Sequence, residues 1–171
     1  MTRSDTERGG AGSSNWQNPS AVERQELLRR TRSVAVVGAS ANPARASNFV
    51  ATYLLGSTGF EVYFVNPNAT EILGRPVWPS LDDLPVTPDL VDVFRRPEDL
   101  PGVLDDAIRV GASSIWLQFG LWDADLARRG EDAGLTVVMD RCLKVEHARF
   151  HGGLHLAGFD TGVISSRRER G

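Results

Sequence analysis

Length, composition and charge limit what this chain can be. Its 171 residues, 41% of them hydrophobic, are enough for one compact domain with a substantial core and would be crowded as two. The net charge of -3 and the isoelectric point near 5.6 provide no large basic field, so nucleic acid is not an expected partner. Cys142 is the only cysteine, which excludes an internal disulfide. Because the chain also lacks a signal-peptide core and any run of 18 apolar residues, we expect a cytoplasmic protein that does not enter membranes.

The two ends of the chain differ from the middle in composition. Residues 1–17 are rich in Gly, Ser, Thr and charges, and Trp16 is their only large apolar side chain, so this segment is predicted to be disordered. The folded domain is expected to span residues 18–166. Residues 152–166 are glycine-rich coil with one candidate strand, and residues 167–171 form a basic tail interpreted as a solvated end.

The first ordered element is predicted to be a short helix. Asn18 is typical of an N-cap, and Pro19 suits the first helical position. Apolar residues then continue the helix to about Arg30.

A strand, a turn of small residues and a helix follow one another from residue 34. Val34 to Val37 form an uninterrupted apolar run, which is typical of a strand buried on both faces of a parallel sheet. The next six residues, 38–43, are small or turn-forming, and a helix is predicted to begin between Ala44 and Ser47. Because a helix N-terminus carries free N–H groups and a positive dipole end, this arrangement favours a bound phosphate.

This turn differs from the NAD fingerprint. The pattern G-x-G-x-x-G requires glycine at positions 40 and 43, where the chain has Ser40 and Pro43. Instead, the turn offers the hydroxyls of Ser40 and Ser47 and the guanidinium of Arg45, which are suited to a phosphate-rich ligand. Taken singly, Arg45 is equally consistent with a solvated first-turn residue and Ser47 with an N-cap.

Four further strand-like segments alternate with helical ones. The predicted strands are Glu61 to Asn66, Asp89 to Phe94, Ser114 to Phe119 and Leu135 to Met139. The predicted helices are one through Phe49 and Leu54, one from Leu100 to Ile108 ended by Gly111, one capped by Asp123 and reaching Arg129 or Asp132, and a short one over Asp140 to Phe150. The proline-rich residues 68–88 are predicted to be a long irregular connection with a turn of helix near Ser80 to Leu84.

This alternation predicts an α/β fold with a five-stranded, mainly parallel sheet in the order 3-2-1-4-5. Strands 1 and 4 are expected to flank the point where the strand order reverses, and ligands bind at the carboxyl ends of strands there. An NAD site would place an acid after strand two, whereas this chain has Asn66 and Pro67. Asn66 suits a ribose or adenine edge, or equally plain turn chemistry. Arg95 and Arg96 follow strand three at the same edge.

Six stretches in this order resemble a known family. They are V-A-V-V-G-A-S-A-N-P-A-R-A-S from Val34, V-Y-F-V-N-P-N, V-D-V-F-R-R-P, I-W-L-Q-F-G, V-V-M-D-R-C-L-K-V-E-H and T-G-V-I-S-S-R-R. Together they are similar to the small stand-alone bacterial CoA-binding proteins, whose domain is similar to the CoA-binding domain of the succinyl-CoA synthetase alpha subunit. The resemblance implies a Rossmann-like three-layer sandwich with coenzyme A as its ligand, the ADP moiety lying over the first turn. It implies contacts from Gly38, Ala39, Ser40, Arg45, Ser47, Asn66, Pro67, Phe94, Arg95, Trp116, Gln118 and Gly120.

The composition of CoA agrees with these residues. CoA carries a 3′-phosphate besides its diphosphate, so its pocket should offer arginine and lack the acid that NAD requires. The partners expected are therefore CoA or an acyl-CoA, with a protein partner or a homodimer also open. An NAD(P)-dependent oxidoreductase on the same fold is an alternative, because Arg45 also suits a 2′-phosphate. A domain that has lost its ligand and acts through protein contacts is another.

No catalytic constellation is evident in the sequence. Cys142 follows strand five beside Arg141, so its thiol is a candidate for exchange with the CoA thiol, although a lone cysteine is more often a packing residue. His147, His151 and His155 are spaced four apart, but Gly152 and Gly153 interrupt them and a zinc site is not expected. The synthetase uses a phosphorylated histidine on a separate ligase domain, which we do not expect in a chain of this length. The residues therefore favour a binding protein over an enzyme.

Overall fold

The computed structural model describes residues 15–151, which form a central sheet covered by helices on both faces. The strands are β1 (Ser33–Val37), β2 (Glu61–Val65), β3 (Glu71–Ile72), β4 (Arg75–Trp78), β5 (Leu90–Val93), β6 (Ser114–Leu117) and β7 (Thr136–Val138). The helices are α1 (Ala21–Arg30), α2 (Ala46–Ser57), α3 (Leu100–Val110), α4 (Ala124–Asp132) and α5 (Leu143–His151), with single 3₁₀ turns at Leu81–Asp83 and Pro97–Asp99.

The strand order in the sheet is β3-β4-β2-β1-β5-β6-β7. All neighbouring strands are parallel except β3 and β4, which form an antiparallel hairpin at the edge. The predicted α/β class with a mainly parallel sheet is therefore confirmed, although residues 15–151 alone form seven strands rather than five.

The position predicted for the third long strand is wrong. That strand, β5, pairs with β1 at the centre of the sheet, and the place beyond β2 is taken by β4 instead. Strand β4 was not predicted from the sequence, because it contains Pro76 and its first half is exposed. Both features are typical of strands near the edge of a sheet. The chain runs outward from β1 through β2 to β4 and then returns to β5, so the order reverses between β1 and β5. This places the switch point, and the crevice expected there, between these two strands.

The core has two halves, one on each face of the sheet. Strand β1 is buried along its whole length, as its apolar run predicted. Helices α1, α2 and α5 contribute apolar side chains to the half that contains Val36, and α3 and α4 contribute to the half that contains Val37. Within residues 15–151, no helix is both long enough and apolar enough to cross a bilayer.

Local capping explains where the helices begin. Helix α1 is capped by Ser20 rather than by Asn18: the Ser20 hydroxyl accepts from the Glu23 amide at 3.2 Å, and the Glu23 carboxylate accepts from the Ser20 amide at 2.7 Å. Asn18 instead pairs with the backbone of Met139, donating to its carbonyl at 2.7 Å and accepting from its amide at 2.8 Å. The predicted cap at Asp123 is confirmed, since its carboxylate accepts from the Leu126 amide.

Order begins earlier in the chain than predicted. Trp16, which we expected in a disordered segment, is only 9% exposed, and its indole N–H donates to Glu131 Oε1 at 3.2 Å. Its ring also contacts Trp122 edge to face, with centroids 5.5 Å apart. The expectations for residues 1–14 and for residues 152–171, including His155 and the basic tail, lie outside the described residues.

Burial shifts the pKa values of two ionisable side chains, Asp92 and His147. Asp92 on β5 is fully buried, and neither carboxylate oxygen has a hydrogen-bond partner among residues 15–151. This burial raises the pKa of Asp92 well above its usual range. On α5, burial and the neighbouring His151 lower the pKa of His147 to about 4, and its Nδ1 lies 2.9 Å from the Tyr53 hydroxyl.

Candidate functional site

A cleft of about 1410 Å³ runs along the carboxyl ends of the parallel strands. Its walls come from the segments that follow β1, β2, β5, β6 and β7, together with one side of α5. This is the edge at which open α/β sheets bind ligands. Nine of the twelve predicted site residues line the cleft: Gly38, Ser40, Arg45, Ser47, Asn66, Pro67, Phe94, Arg95 and Gln118.

Gly38 lies at the switch point, where the ends of β1 and β5 meet. Its φ is +88°, and a Cβ there would sit 2.1 Å from the Phe94 carbonyl oxygen. The Gly38 amide donates to the Val65 carbonyl at 3.0 Å, and the Phe94 amide donates to the Val37 carbonyl at 2.9 Å. Only glycine allows the ends of β1, β2 and β5 to approach this closely. The chain can therefore turn immediately after β1, at the edge of the sheet.

Side chains hold the turn after β1 in one conformation. Asn66 donates to the Ala39 carbonyl at 2.7 Å, and Asn48 donates to the Ser40 carbonyl at 3.0 Å. Within the turn, the Ser40 hydroxyl accepts from the Asn42 amide at 3.0 Å. The Ala39 and Ser40 carbonyls therefore accept hydrogen bonds from protein side chains, and these bonds fix the conformation of the turn in the absence of a ligand.

Several amides around this turn have no protein acceptor. Among residues 15–151, the backbone N–H groups of Ser40, Ala46 and Ser47 form no hydrogen bond, and all three residues line the cleft. Helix α2 begins at Ala46, so the last two are first-turn amides, which an α-helix always leaves without an internal partner. The Ser40 hydroxyl accepts one hydrogen bond and can still donate another. The turn therefore presents a group of donors suited to an anion.

The cleft is cationic although the whole chain is acidic. Six arginines line it, against three carboxylates. The arginines are Arg24, Arg45, Arg95, Arg96, Arg141 and Arg149, and the carboxylates are Asp99, Asp140 and Glu146. Because a cleft lined by one sign of charge concentrates its field, this surplus attracts an anionic ligand even to a protein with a net charge of -3.

Some of these arginines are paired and others are not. Arg95 and Arg96 both approach Asp99, at 3.5 and 3.4 Å. Glu146 is buried between Arg24 at 2.6 Å and Arg149 at 3.3 Å. Arg45 and Arg141 have no carboxylate partner among residues 15–151. These two guanidinium groups are therefore the ones available to a phosphate without breaking an existing ion pair.

Exposed apolar side chains also line the cleft. Phe119, which follows β6, is 79% exposed, and Val145 on α5 is 51% exposed. Phe49 on α2 is 60% exposed, and the Lys144 ammonium lies 3.6 Å from the centre of its ring. Large apolar groups with this much contact with water are uncommon away from binding surfaces when they lie in one depression.

Three of the predicted site residues do not line the cleft. Ala39 is fully buried, because its side chain packs into the core below the turn. Trp116 is also fully buried, and its indole N–H donates to the Arg141 carbonyl at 2.9 Å. The Gly120 amide donates to Asp140 Oδ1 at 2.7 Å. All three shape the walls of the cleft through their neighbours.

The sequence did not indicate the contribution of α1 and α5. Arg24, Glu146 and Arg149 look like ordinary charged helix residues in the sequence, and only the packing of α1 against α5 brings them to the cleft. Cys142 lines the cleft and is half-buried, as its position after the last strand predicted. Among residues 15–151, no group of three His, Cys, Asp or Glu side chains is placed to hold a metal ion.

Comparison with known proteins identifies the family. The model of the CoA binding domain matches residues 32–148, and the chain therefore belongs to this family. It is 40% identical to the uncharacterized protein YneT of Bacillus subtilis over 132 residues, which cover 77% of this chain and 97% of that protein. It is also 30% identical over 128 residues to an ADP-forming acetate–CoA ligase of Archaeoglobus fulgidus, covering 69% of this chain and only 18% of the ligase.

Solved structures agree with this assignment. A hypothetical protein from Pyrococcus horikoshii superimposes with a TM-score of 0.75 and 35% identity, covering 81% of this chain and 99% of that one. The Rossmann-like architecture is thus shared over nearly the whole length of a small stand-alone protein.

Proposed function

We propose that this protein binds coenzyme A, with the adenosine and phosphate end of the ligand over the turn after β1. The observation that supports this most is the cationic cleft at the switch point. It is lined by amides without an acceptor and by guanidinium groups without a carboxylate partner among residues 15–151. CoA carries a diphosphate and a 3′-phosphate on one end, so it needs both kinds of donor. Membership of the CoA-binding domain family supports the same ligand.

The chemistry of the cleft residues indicates the role of each. The amides of Ser40, Ala46 and Ser47 suit the diphosphate, because helix N-termini bind such groups. Arg45 is exposed beside them and has no carboxylate partner within residues 15–151, and we assign it to the 3′-phosphate. The proposed contacts along the rest of the cleft are Gly38, Asn66, Pro67, Phe94, Arg95 and Gln118.

The end of β2 favours CoA over NAD. No acid stands there, and the Asn66 side chain already donates to the Ala39 carbonyl and accepts from the Asn68 amide at 2.8 Å. A ribose 2′-hydroxyl would therefore find no carboxylate at this position. NADP is the second candidate, because Arg45 would suit its 2′-phosphate as well as the 3′-phosphate of CoA.

A panel of thermal-shift measurements separates these ligands. The panel contains CoA, dephospho-CoA, ADP, NAD and NADP at equal concentrations. A ligand present at about 100 times its dissociation constant adds roughly 2.7 kcal/mol, which raises the melting temperature of a domain of this size by roughly 5–10 °C. We expect the largest shift from CoA. A clear shift from NADP with none from CoA would contradict the proposal, and no shift from any member would favour a domain that acts through protein contacts.

The role of Arg45 is tested by comparing two ligands in one variant. Arg45→Ala should weaken CoA more than dephospho-CoA, because only CoA has the 3′-phosphate. Arg75→Ala is the control, since Arg75 is exposed on β4 and does not line the cleft. Equal losses for both ligands in Arg45→Ala would place this side chain on the diphosphate instead.

A further inference from the structure

We infer that the first turn of α5 is a second anion site, which binds a small carboxylate or phosphate. This site is additional to the donors at the turn after β1, and its ligand is a separate molecule from CoA. Two nearly buried side chains, Gln118 and Arg24, define it. Each keeps one hydrogen-bond donor without a partner among residues 15–151.

The start of α5 presents free backbone amides to the cleft. The helix begins at Leu143, and within residues 15–151 the amides of Cys142, Lys144 and Val145 form no hydrogen bond. Cys142 and Val145 line the cleft. A helix N-terminus favours an anion, but every helix has one, so these amides define a site only together with the side chains around them.

Gln118 is the first of these side chains. It is only 7% exposed, and its Oε1 accepts from the Leu143 amide at 3.3 Å. The Nε2 group, about 2.2 Å from Oε1, is left as a donor with no partner among residues 15–151. In this part of the chain, only the Asp92 oxygens are both enclosed and unpartnered, so Nε2 is in contact with solvent. Because Gln118 lines the cleft, its free donor faces that space.

Arg24 holds a second free donor beside the same turn. The residue is also 7% exposed, and its guanidinium donates to Glu146 at 2.6 Å and to the Pro19 carbonyl at 2.7 Å. Its Nη2 has no partner among residues 15–151 and is likewise not enclosed, so it is open to the cleft that Arg24 lines. Glu146 lies three residues after Leu143, and both are buried, so they are neighbours on one helix face. Arg24 and Gln118 are therefore held on the same side of the first turn.

The charges around this turn favour an anion. Glu146 is already paired with Arg24 and with Arg149 at 3.3 Å, and Asp140 accepts from a backbone amide at 2.7 Å. Arg141 lines the same space and has no carboxylate partner in the described part of the chain. A ligand here meets three guanidinium groups and two carboxylates that are already hydrogen-bonded. Carboxylate and phosphate oxygens are the groups that guanidinium and amide donors bind.

The two donor groups in the cleft come from different elements. The first lies at the start of α2, whereas the second combines α5 with Gln118 after β6 and Arg24 on α1. Because α5 packs on α2, both groups open into one cleft, and no side chain belongs to both. We therefore expect the small anion to bind together with CoA, with Gln118 contacting the anion rather than a CoA phosphate.

Nuclear magnetic resonance titration of the whole chain tests this site residue by residue. Acetate and inorganic phosphate are the probes, with chloride added to hold the ionic strength constant. Each probe should shift the backbone amide signals of Lys144 and Val145 and the side-chain NH₂ signals of Gln118. These shifts should follow one saturable curve, because a single bound anion causes them.

Two variants remove the free donors. Gln118→Glu keeps the acceptor for the Leu143 amide and replaces the donor with a charged oxygen, so the dissociation constant read from the α5 amides should rise at least about tenfold. Arg24→Lys keeps a cation beside Glu146 but lacks Nη2, and it should raise this constant at least about threefold. Gln17→Glu is the matched control, because Gln17 is exposed and does not line the cleft, and it should keep the wild-type constant.

The outcomes separate the second site from CoA binding. No saturable shift at α5 in the wild type, or an unchanged constant in either variant, would overturn the inference. The titration is then repeated with CoA at saturation. Displacement of the anion by CoA would show that these donors hold the phosphates of CoA itself, and the inference would be wrong. An unchanged constant, with CoA shifting the amides at the turn after β1, would support both ligands. If CoA shifted no signal, CoA binding would fail while the second site would stand.

Discussion

Replacing Gly38 with alanine should damage the fold at the centre of the proposed site. The new Cβ would meet the Phe94 carbonyl oxygen at 2.1 Å, and the backbone would have to keep a φ of +88°. A left-handed conformation costs an alanine about 1–2 kcal/mol, and moving Phe94 away would weaken its hydrogen bond to Val37, worth about 1 kcal/mol. The expected loss is therefore about 2–3 kcal/mol, or roughly 4–12 °C in melting temperature.

A second glycine separates the two causes of this loss. Gly74 has a similar φ of +76°, but no heavy atom lies within 4 Å of its would-be Cβ. Gly74→Ala should therefore show only the conformational cost of about 1–2 kcal/mol. Urea unfolding of both variants measures the difference, and CoA titration should show loss of binding in Gly38→Ala alone. Equal destabilisation of the two variants would refute the close approach of β1 and β5 at Gly38.

Three further predictions concern buried side chains. Because burial raises the pKa of Asp92, the folded protein keeps this carboxyl protonated while the unfolded chain ionises above about pH 4. Asp92→Asn should therefore gain stability relative to the wild type as the pH rises above about 4. A stability difference that does not change with pH in urea titrations would contradict this. The pKa of His147 is lowered to about 4, so the unfolded chain takes up a proton at this side chain at a higher pH than the folded protein does. As the pH drops from 6.5 to 4, the unfolding free energy of the wild type should therefore fall by up to about 3 kcal/mol more than that of His147→Gln. If the two proteins gave parallel curves of unfolding free energy against pH, His147 would not be neutral in the folded protein. Trp16→Ala should lower the free energy of unfolding by about 3 kcal/mol, because it empties a core position and removes the hydrogen bond to Glu131. If calorimetry gave this variant the melting temperature of the wild type, the segment around Trp16 would not support the fold.

The elements that the sequence predicted correctly are those with strong local signals. The run from Val34 to Val37 is uniformly apolar because β1 is covered on both faces, and the structure buries all four residues. Asp123 caps α4 with its own side chain, and Gly111 ends α3 with a φ of +85°. These features depend on neighbours in sequence, so the sequence is enough to find them.

The features that were missed depend on contacts between distant segments. Asn18 satisfies the local rule for an N-cap, yet its amide pairs with Met139, which is 121 residues away. The hairpin of β3 and β4 is held in the sheet by the pairing of β4 with β2, and Pro76 makes β4 look unlike a strand in the sequence. Arg24 and Glu146 form their buried pair only because α1 packs on α5. The turn donors of the candidate site were therefore predictable, whereas the arginines and apolar groups from the helices were not.

The most direct test of the central claim is a crystal structure of the protein with CoA bound. We expect the diphosphate within hydrogen-bond distance of the Ser40, Ala46 and Ser47 amides, with the 3′-phosphate on Arg45. A second, smaller hollow of about 650 Å³ lies beside the opposite strand ends and is lined by Arg29, Arg32 and His147, among other residues. CoA bound there, or density absent from the cleft at a saturating concentration, would contradict the account.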